Sequence, residues 1–298
     1  MRMYASRVDA GHPDYVVLAK LRDAIARESG GMSALLARFP ELVREAVDFV
    51  LDPVRTARTR VSELDNVEKT FIGLKLEHFV RDLLDVPKGL RDLVIDGVDV
   101  DIKNTVGTNW SIPEETYRNS EACLLMAVND AKYTCSLGLI LARPDHLHKG
   151  KGNRDSKRGI SASGFENILW IVQDAQFPPA RFDGIDMARF REMRKTLAGN
   201  ERVAQFWREN LRRVVHRDVM QTLLFDQHDY MKRLRANGGA PDILRLEGIA
   251  ILLGTYLVDR TLAAELGVPG LKRDEIVAVS ARTPAERDMM QRAAVIAV

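Results

Sequence analysis

Residues 91–104 read RDLVIDGVDVDIKN, and the fold turns on this stretch. Two runs that alternate apolar and acidic residues flank Asp96-Gly97. An Asp-Gly pair in that setting favours a two-residue turn with positive φ, and so a β-hairpin. On such a turn Ile95 faces Val98, Val94 faces Asp99, Leu93 faces Val100 and Asp92 faces Asp101. Successive side chains of a strand point to opposite faces. Leu93, Ile95, Val98, Val100 and Ile102 are therefore expected on the core face, with Asp92, Asp99, Asp101 and Lys103 on the other.

Carboxylates placed directly across a strand pair repel each other. A divalent cation offsets that repulsion, and oxygen donors at this density suit Mg²⁺. Lys103 lies two residues beyond Asp101 on the same face. An ammonium there can stabilise a developing phosphorane or hold an attacking water. Metal and lysine together meet the needs of phosphodiester hydrolysis, charge neutralisation and a water of lowered pKa. The competing reading is a solvated acidic face with an ordinary lysine. Asp-x-Asp-x-Lys alone does not separate the two.

Upstream, apolar residues recur at helical spacing over 14–50, from Leu18, Leu21 and Ile25 to Val43, Ala46, Val47 and Val50. Asp52-Pro53 closes that region. A longer helix is expected over 63–84, with Ile72, Leu76, Phe79, Val80, Leu83 and Leu84 as its apolar stripe and Pro87 and Gly89 as its stop. Downstream, 122–128 and 133–142 are nearly continuous apolar runs around Asn129-Asp130, as in buried central strands. Residues 165–172 form one more expected element. The stretch FPPARFDGID suggests a linker over 176–186, dividing a first domain, 1–175, from a second, 187–298. The second half reads as mainly helical to about Gly254, with a short αβ ending.

A length of 298 residues favours two domains, and 46% hydrophobic residues suffice for their cores. A net charge of +2 excludes a histone-like polycation but not a DNA enzyme, which needs only a local basic stripe. Segment 143–159 carries six Lys/Arg against two Asp, and 202–217 carries five Arg against one Glu. Each can meet phosphates or simply form a solvated face. Cys123 and Cys135 have no His or Cys at metal spacing and read as buried free thiols. The six histidines suggest no zinc set, and His146-x-His148 reads as exposed loop. Trp110 reads as core packing rather than base stacking. No run of 18 apolar residues and no apolar leader are seen, so a cytoplasmic protein without a membrane partner is expected.

An acid, a gap, then acid-x-Lys on a hairpin, with a Glu on the preceding helix, resembles the PD-(D/E)xK nuclease pattern. The likeness extends to the NaeI family of type II restriction endonucleases. Glu68-Lys69-Thr70, Gly73 and Glu77 resemble that family's EKT-x-x-G-x-x-x-E helix. Ile95, Gly97, Val98, Val100, Asp101 and Lys103 resemble its I-x-G-V-x-V-D-x-K hairpin, and Trp110, Pro113 and Glu115 its W-x-x-P-x-E. Asn153-Arg154-Asp155 and Lys157-Arg158 resemble N-R-D-x-K-R. Met231-Lys232-Arg233, Arg235, Gly238-Gly239-Ala240, Ile243-Leu244-Arg245 and Glu247-Gly248-Ile249 resemble its DNA-binding domain. These motifs run in order from about residue 60 to 280.

The resemblance implies a fold of class α/β (α+β). A restriction-endonuclease-like nuclease domain, with a mixed central sheet flanked by helices, precedes a mainly helical, winged helix-turn-helix domain of the catabolite-activator type. It implies catalytic acids at Glu77, Asp92 and Asp101 and the catalytic lysine at Lys103. Asp92, Asp101, Glu77 and the Ile102 carbonyl would hold Mg²⁺. It implies DNA contacts at Asn153, Arg154, Lys157, Arg158, Lys232, Arg233, Arg235, Gly238, Gly239 and Arg245. For Lys232, Arg233 and Arg235 the plainer alternative is a helix C-terminus, where cations suit the dipole. The implied enzyme is a homodimer that cleaves double-stranded DNA and is activated by a second bound DNA site. Its cognate methyltransferase is a functional rather than a physical partner. Two competing readings are a nicking or repair endonuclease on the same scaffold and a DNA-binding regulator with an inactive nuclease domain. Retention of all four site residues argues against the second.

Overall fold

The computed structural model describes residues 5–150 and 152–297. Lys151 of the basic run and Met1–Tyr4 lie outside the described residues. The chain forms two compact units, one reaching to Leu51 and resuming over Arg60–Pro179, the other made of Asp52–Thr59 and the chain from Ala180 onward.

In chain order the elements are α1 (Tyr15–Glu28), α2 (Met32–Leu51), α3 (Pro53–Thr56), α4 (Asn66–Leu84), β1 (Leu93–Ile95), β2 (Val98–Thr105), β3 (Ser111–Ile112) and α5 (Glu114–Arg118). They continue with β4 (Ala122–Asn129), β5 (Thr134–Leu141), β6 (Arg158–Gly159), α6 (Ala162–Phe165) and β7 (Leu169–Gln176). The main sheet runs β1-β2-β4-β5-β7. β2 and β4 are parallel and the other neighbours antiparallel, so the sheet is mixed.

The hairpin has the expected register: Ile95 opposes Val98, Val94 opposes Asp99 and Leu93 opposes Val100. Asp96 and Gly97 both take positive φ, 48° and 78°, as the turn requires. Leu93, Ile95, Val100 and Ile102 join a core with Ile72, Leu76 and Val80 of α4. Each such fully buried side chain contributes about 1.5–3 kcal/mol relative to exposure. On the opposite face Cys123, Leu125 and Ile140 pack with Trp110, Tyr117 and Phe165. The sheet is thus covered on both faces, which is why β4 and β5 read as unbroken apolar runs. Both thiols are free and buried, and burial pushes Cys135 up to about 12.

Three local expectations shift. Helix α4 starts at Asn66 rather than near 63, because Asp65 accepts from the Glu68 N–H and the Glu68 side chain accepts from the Asp65 N–H. The element expected over 165–172 is two pieces. Ser161 caps the short α6 through the Gly164 N–H, and β7 begins only at Leu169. His146 is buried, not exposed, with its Nδ1 3.0 Å from the Leu141 carbonyl oxygen.

The second unit continues with α7 (Met187–Thr196), α8 (Gly199–Glu209), β8 (Val215–His216), α9 (Arg217–Leu223), α10 (Ala240–Leu244), β9 (Ile249–Leu253), α11 (Leu257–Glu265), β10 (Glu275–Ser280) and α12 (Pro284–Arg292). Its three strands pair antiparallel in the order β8-β10-β9. β8 falls inside a stretch whose sequence reads as helix. Two residues are too short a strand to leave a periodic trace. Asp52–Thr59 joins this unit through the Arg191 guanidinium, which donates to the Ala57 carbonyl at 2.9 and 3.1 Å, and through Arg194, which donates to Val54.

Four of the five arginines in the basic run over 202–217 are paired with carboxylates. Arg202 is 3% exposed and pairs with Asp226 at 2.7 Å while donating to the carbonyls of Leu197 and Leu223. Arg208 pairs with Glu247 and Glu201, Arg212 with Glu286, and Arg217 with Asp274. These arginines are committed to the fold rather than to phosphates. Arg202→Ala is expected to destabilise this unit by about 3 kcal/mol, the lower end for breaking a buried pair, since Asp226 keeps partial access to water. Urea denaturation followed by circular dichroism measures it.

Candidate active site

The hairpin gathers Asp92, Asp101 and Lys103 as its pairing dictates. Asp92 immediately precedes β1, and its N–H reaches the Val100 carbonyl at a long 3.4 Å. Its Oδ2 instead accepts from the backbone N–H of Ile102 at 2.7 Å. Asp101 is 4% exposed. Its Oδ1 receives the Lys103 ammonium at 2.5 Å and its Oδ2 receives the Thr116 hydroxyl at 2.8 Å. The same ammonium donates to the Ile102 carbonyl at 3.2 Å. One cation therefore rests on a carboxylate oxygen and a backbone carbonyl at once, and that oxygen pair fits a hard cation.

Glu77 stands on α4, near enough for the charge of Asp92 to act on it. Gly73, one turn before it, lies so close to β2 that a Cβ there would collide with the side-chain amide of Asn104. The missing side chain lets the helix approach the strand. Burial raises the Glu77 pKa, and the charge of Asp92 raises it further, against the pull of Arg81 at 3.4 Å. Burial also raises Asp101, opposed by Lys103 and Thr116 and reinforced by Asp92. Glu77 is thus felt at Asp92, and Asp92 at Asp101. Among the described residues no group of three His, Cys, Asp or Glu side chains is arranged to hold a metal ion. The donor chemistry at the hairpin is all oxygen, from two carboxylates and the Ile102 carbonyl, with Glu77 alongside.

Several supporting residues escape a sequence reading. Asp99 shares the acidic face in the alternation, but both its oxygens accept from the Arg91 N–H, at 3.1 and 3.2 Å. The Arg91 guanidinium is held by both oxygens of Glu121, at 2.7 and 3.1 Å, and Arg91 in turn lowers the Glu121 pKa. The residue next to Asp92 is thereby fixed at backbone and side chain. Thr116 lies 15 residues beyond Asp101 in sequence and Glu121 lies 30 beyond Arg91, and no spacing rule spans such gaps.

The 153–158 loop divides in two. Asn153 Oδ1 accepts the N–H groups of Asp155 and Lys157, at 3.0 and 2.9 Å, and so shapes the turn. Arg158 stacks 4.7 Å from the Tyr117 ring centre, and the Tyr117 hydroxyl donates to Ser156. Arg154 is exposed and Lys157 half-buried, and neither makes an ion pair among the described residues.

In the second unit the helix that would end at Lys232, Arg233 and Arg235 is broken. α9 ends at Leu223, Asp226 is pinned by Arg202, and Tyr230–Leu234 forms a separate 3₁₀ turn. Arg233 donates to Gln227 at 2.9 and 3.1 Å and to Asn200 at 3.4 Å, so it is a bracket. Gly238, at φ 105°, turns the chain, and Asp242 accepts its N–H. A Cβ on Gly239 would collide with the Arg235 carbonyl, which explains the second glycine before α10. Lys232 and Arg235 line an open cleft of about 590 Å³ with His228 and Asn237. Those two cations and Arg245 are exposed and make no ion pair among the described residues.

The family profile described as restriction endonuclease NaeI matches residues 36–297, a wider span than the motifs cover. The type II restriction enzyme NaeI of Lentzea aerocolonigenes is 30% identical over 263 residues, 85% of this chain and 80% of that one. The chain belongs to the NaeI family of type II restriction endonucleases.

Proposed function

We propose that the chain cuts both strands of DNA at a specific sequence, using Mg²⁺ held at Asp92, Asp101 and the Ile102 carbonyl, with Glu77 completing the set or orienting water. The observation that carries this reading is the Lys103 ammonium lying on Asp101 Oδ1 and the Ile102 oxygen. When bound there, Mg²⁺ supplies charge neutralisation and a water of lowered pKa. Lys103 then stands beside the reacting phosphate, where its ammonium holds the attacking water or stabilises charge on a non-bridging oxygen. Asp92, tied to the Ile102 N–H, fixes the strand that presents that carbonyl. The product would carry a 5′-phosphate.

The second unit would act as a winged helix-turn-helix domain that grips a second DNA copy and activates cleavage within a homodimer. The Gly238-Gly239 turn leading into α10, beside the three-stranded sheet, supports that assignment. The reaction would take place in the cytoplasm. Among the described residues no helix is long and apolar enough to cross a membrane. Supercoiled plasmid digested with Mg²⁺ is expected to become linear, and EDTA to stop the reaction. Nicked circles as the end product would favour a nicking enzyme and defeat this proposal.

Of the proposed DNA contacts, Arg154, Lys157, Lys232, Arg235 and Arg245 are free for phosphates, whereas Asn153, Arg158, Arg233 and the two glycines shape the surfaces that carry them. Lys232→Ala and Arg235→Ala are each expected to lower the slope of log affinity against log salt by about one, whatever the DNA sequence. Fluorescence anisotropy over a salt series measures this.

A further inference from the structure

We propose that Thr116 is a positioning residue for the Mg²⁺ site, fixing the plane of the Asp101 carboxylate through its hydroxyl. This rests on the reading of Asp101 as a metal ligand given above.

Thr116 is wholly buried, and its hydroxyl lies 2.8 Å from Asp101 Oδ2. A threonine within a helix commonly returns its hydroxyl to a carbonyl three or four residues back. In α5 it crosses to the hairpin instead. Asp101 has two side-chain donors, Lys103 on Oδ1 and Thr116 on Oδ2. Were a metal held at Oδ1 and the Ile102 carbonyl, the ammonium could not keep its place on those oxygens. Thr116 would then be the side-chain donor left to hold the carboxylate against rotation. The backbone of Thr116 is itself fixed, since its carbonyl accepts the Glu121 N–H at 3.0 Å and Glu121 clamps Arg91. The hydroxyl is therefore held on a rigid mount beside the carboxylate it orients. Hydrogen bonds to ligating carboxylates govern metal affinity and activity by about 10–100-fold.

Thr116→Val keeps the shape and removes the donor. The expected result is a Mg²⁺ midpoint for single-turnover cleavage raised about 10–100-fold, with matching loss of Tb³⁺ binding followed by luminescence. DNA affinity measured in EDTA, without divalent metal, should stay within about twofold of wild type, because no phosphate contact is touched. Thr116→Ser, which keeps the hydroxyl, should restore both metal readouts, and a packing role for the methyl group predicts the opposite. Thr116→Ala carries the same test if valine does not fold. An unchanged Mg²⁺ midpoint and Tb³⁺ affinity in a folded valine or alanine variant would overturn the inference. Asp101→Asn run in parallel separates the two levels. If it is inactive while the valine variant matches wild type, only the Thr116 role fails. If it cleaves normally, the site reading fails and the Thr116 role with it.

Discussion

Lys103→Ala is expected to slow cleavage at saturating Mg²⁺ by at least about 10²–10³-fold, the effect of removing one preorganised charge stabiliser. The geometry makes a second, less obvious demand. In the resting protein the ammonium covers Asp101 Oδ1 and the Ile102 carbonyl, two oxygens proposed for the metal. Alanine uncovers them, so metal binding without DNA should be unimpaired or tighter while catalysis collapses. Loss of cleavage together with loss of Tb³⁺ binding would mean that the lysine holds the site together rather than acting on the phosphate. Lys103→Arg should not rescue the rate, since a planar guanidinium cannot place its charge where a compact ammonium does.

Asp101→Asn is expected to reduce cleavage by roughly 10³-fold or more, as removal of a metal ligand forfeits several kcal/mol of transition-state stabilisation. The fold should survive. Burial raises the Asp101 pKa more than Lys103 and Thr116 lower it, so folding without metal holds the charged form less readily than the unfolded chain does. The sign follows from linkage. A carboxylate whose folded pKa lies above its unfolded value contributes stability at low pH and loses it as pH rises through the folded value. Asparagine removes that loss. Thermal melts of the metal-free proteins should show the variant at least as stable as wild type near neutral pH. A variant that is both inactive and clearly less stable would show that Asp101 serves the fold.

The register of the hairpin was open to reading because two local signals agree, an Asp-Gly turn and a period of two. The pairing Leu93 with Val100 follows, and Asp92 is thereby carried to Asp101. Helix α4 was legible from its apolar stripe, and only its start moved, by the Asp65–Glu68 capping box. The supports of the site were not legible, because they come from elsewhere in the chain: Thr116 from α5, Glu121 from just before β4, and the close approach of Gly73 to Asn104. Charge was the least readable quantity. Arginines in 202–217 look like a phosphate stripe, yet Arg202 meets Asp226 and Arg208 meets Glu247 inside one folded unit. Composition records how many cations a segment has, and only the fold shows which already have partners.

The most direct test of the central claim is to digest a panel of unrelated plasmids with the purified protein and Mg²⁺ and to sequence the ends. The account predicts linear fragments with 5′-phosphate ends at one recurring sequence, lost on adding EDTA and lost in Lys103→Ala. Ends scattered without a common sequence, or identical cleavage by Lys103→Ala, would contradict it.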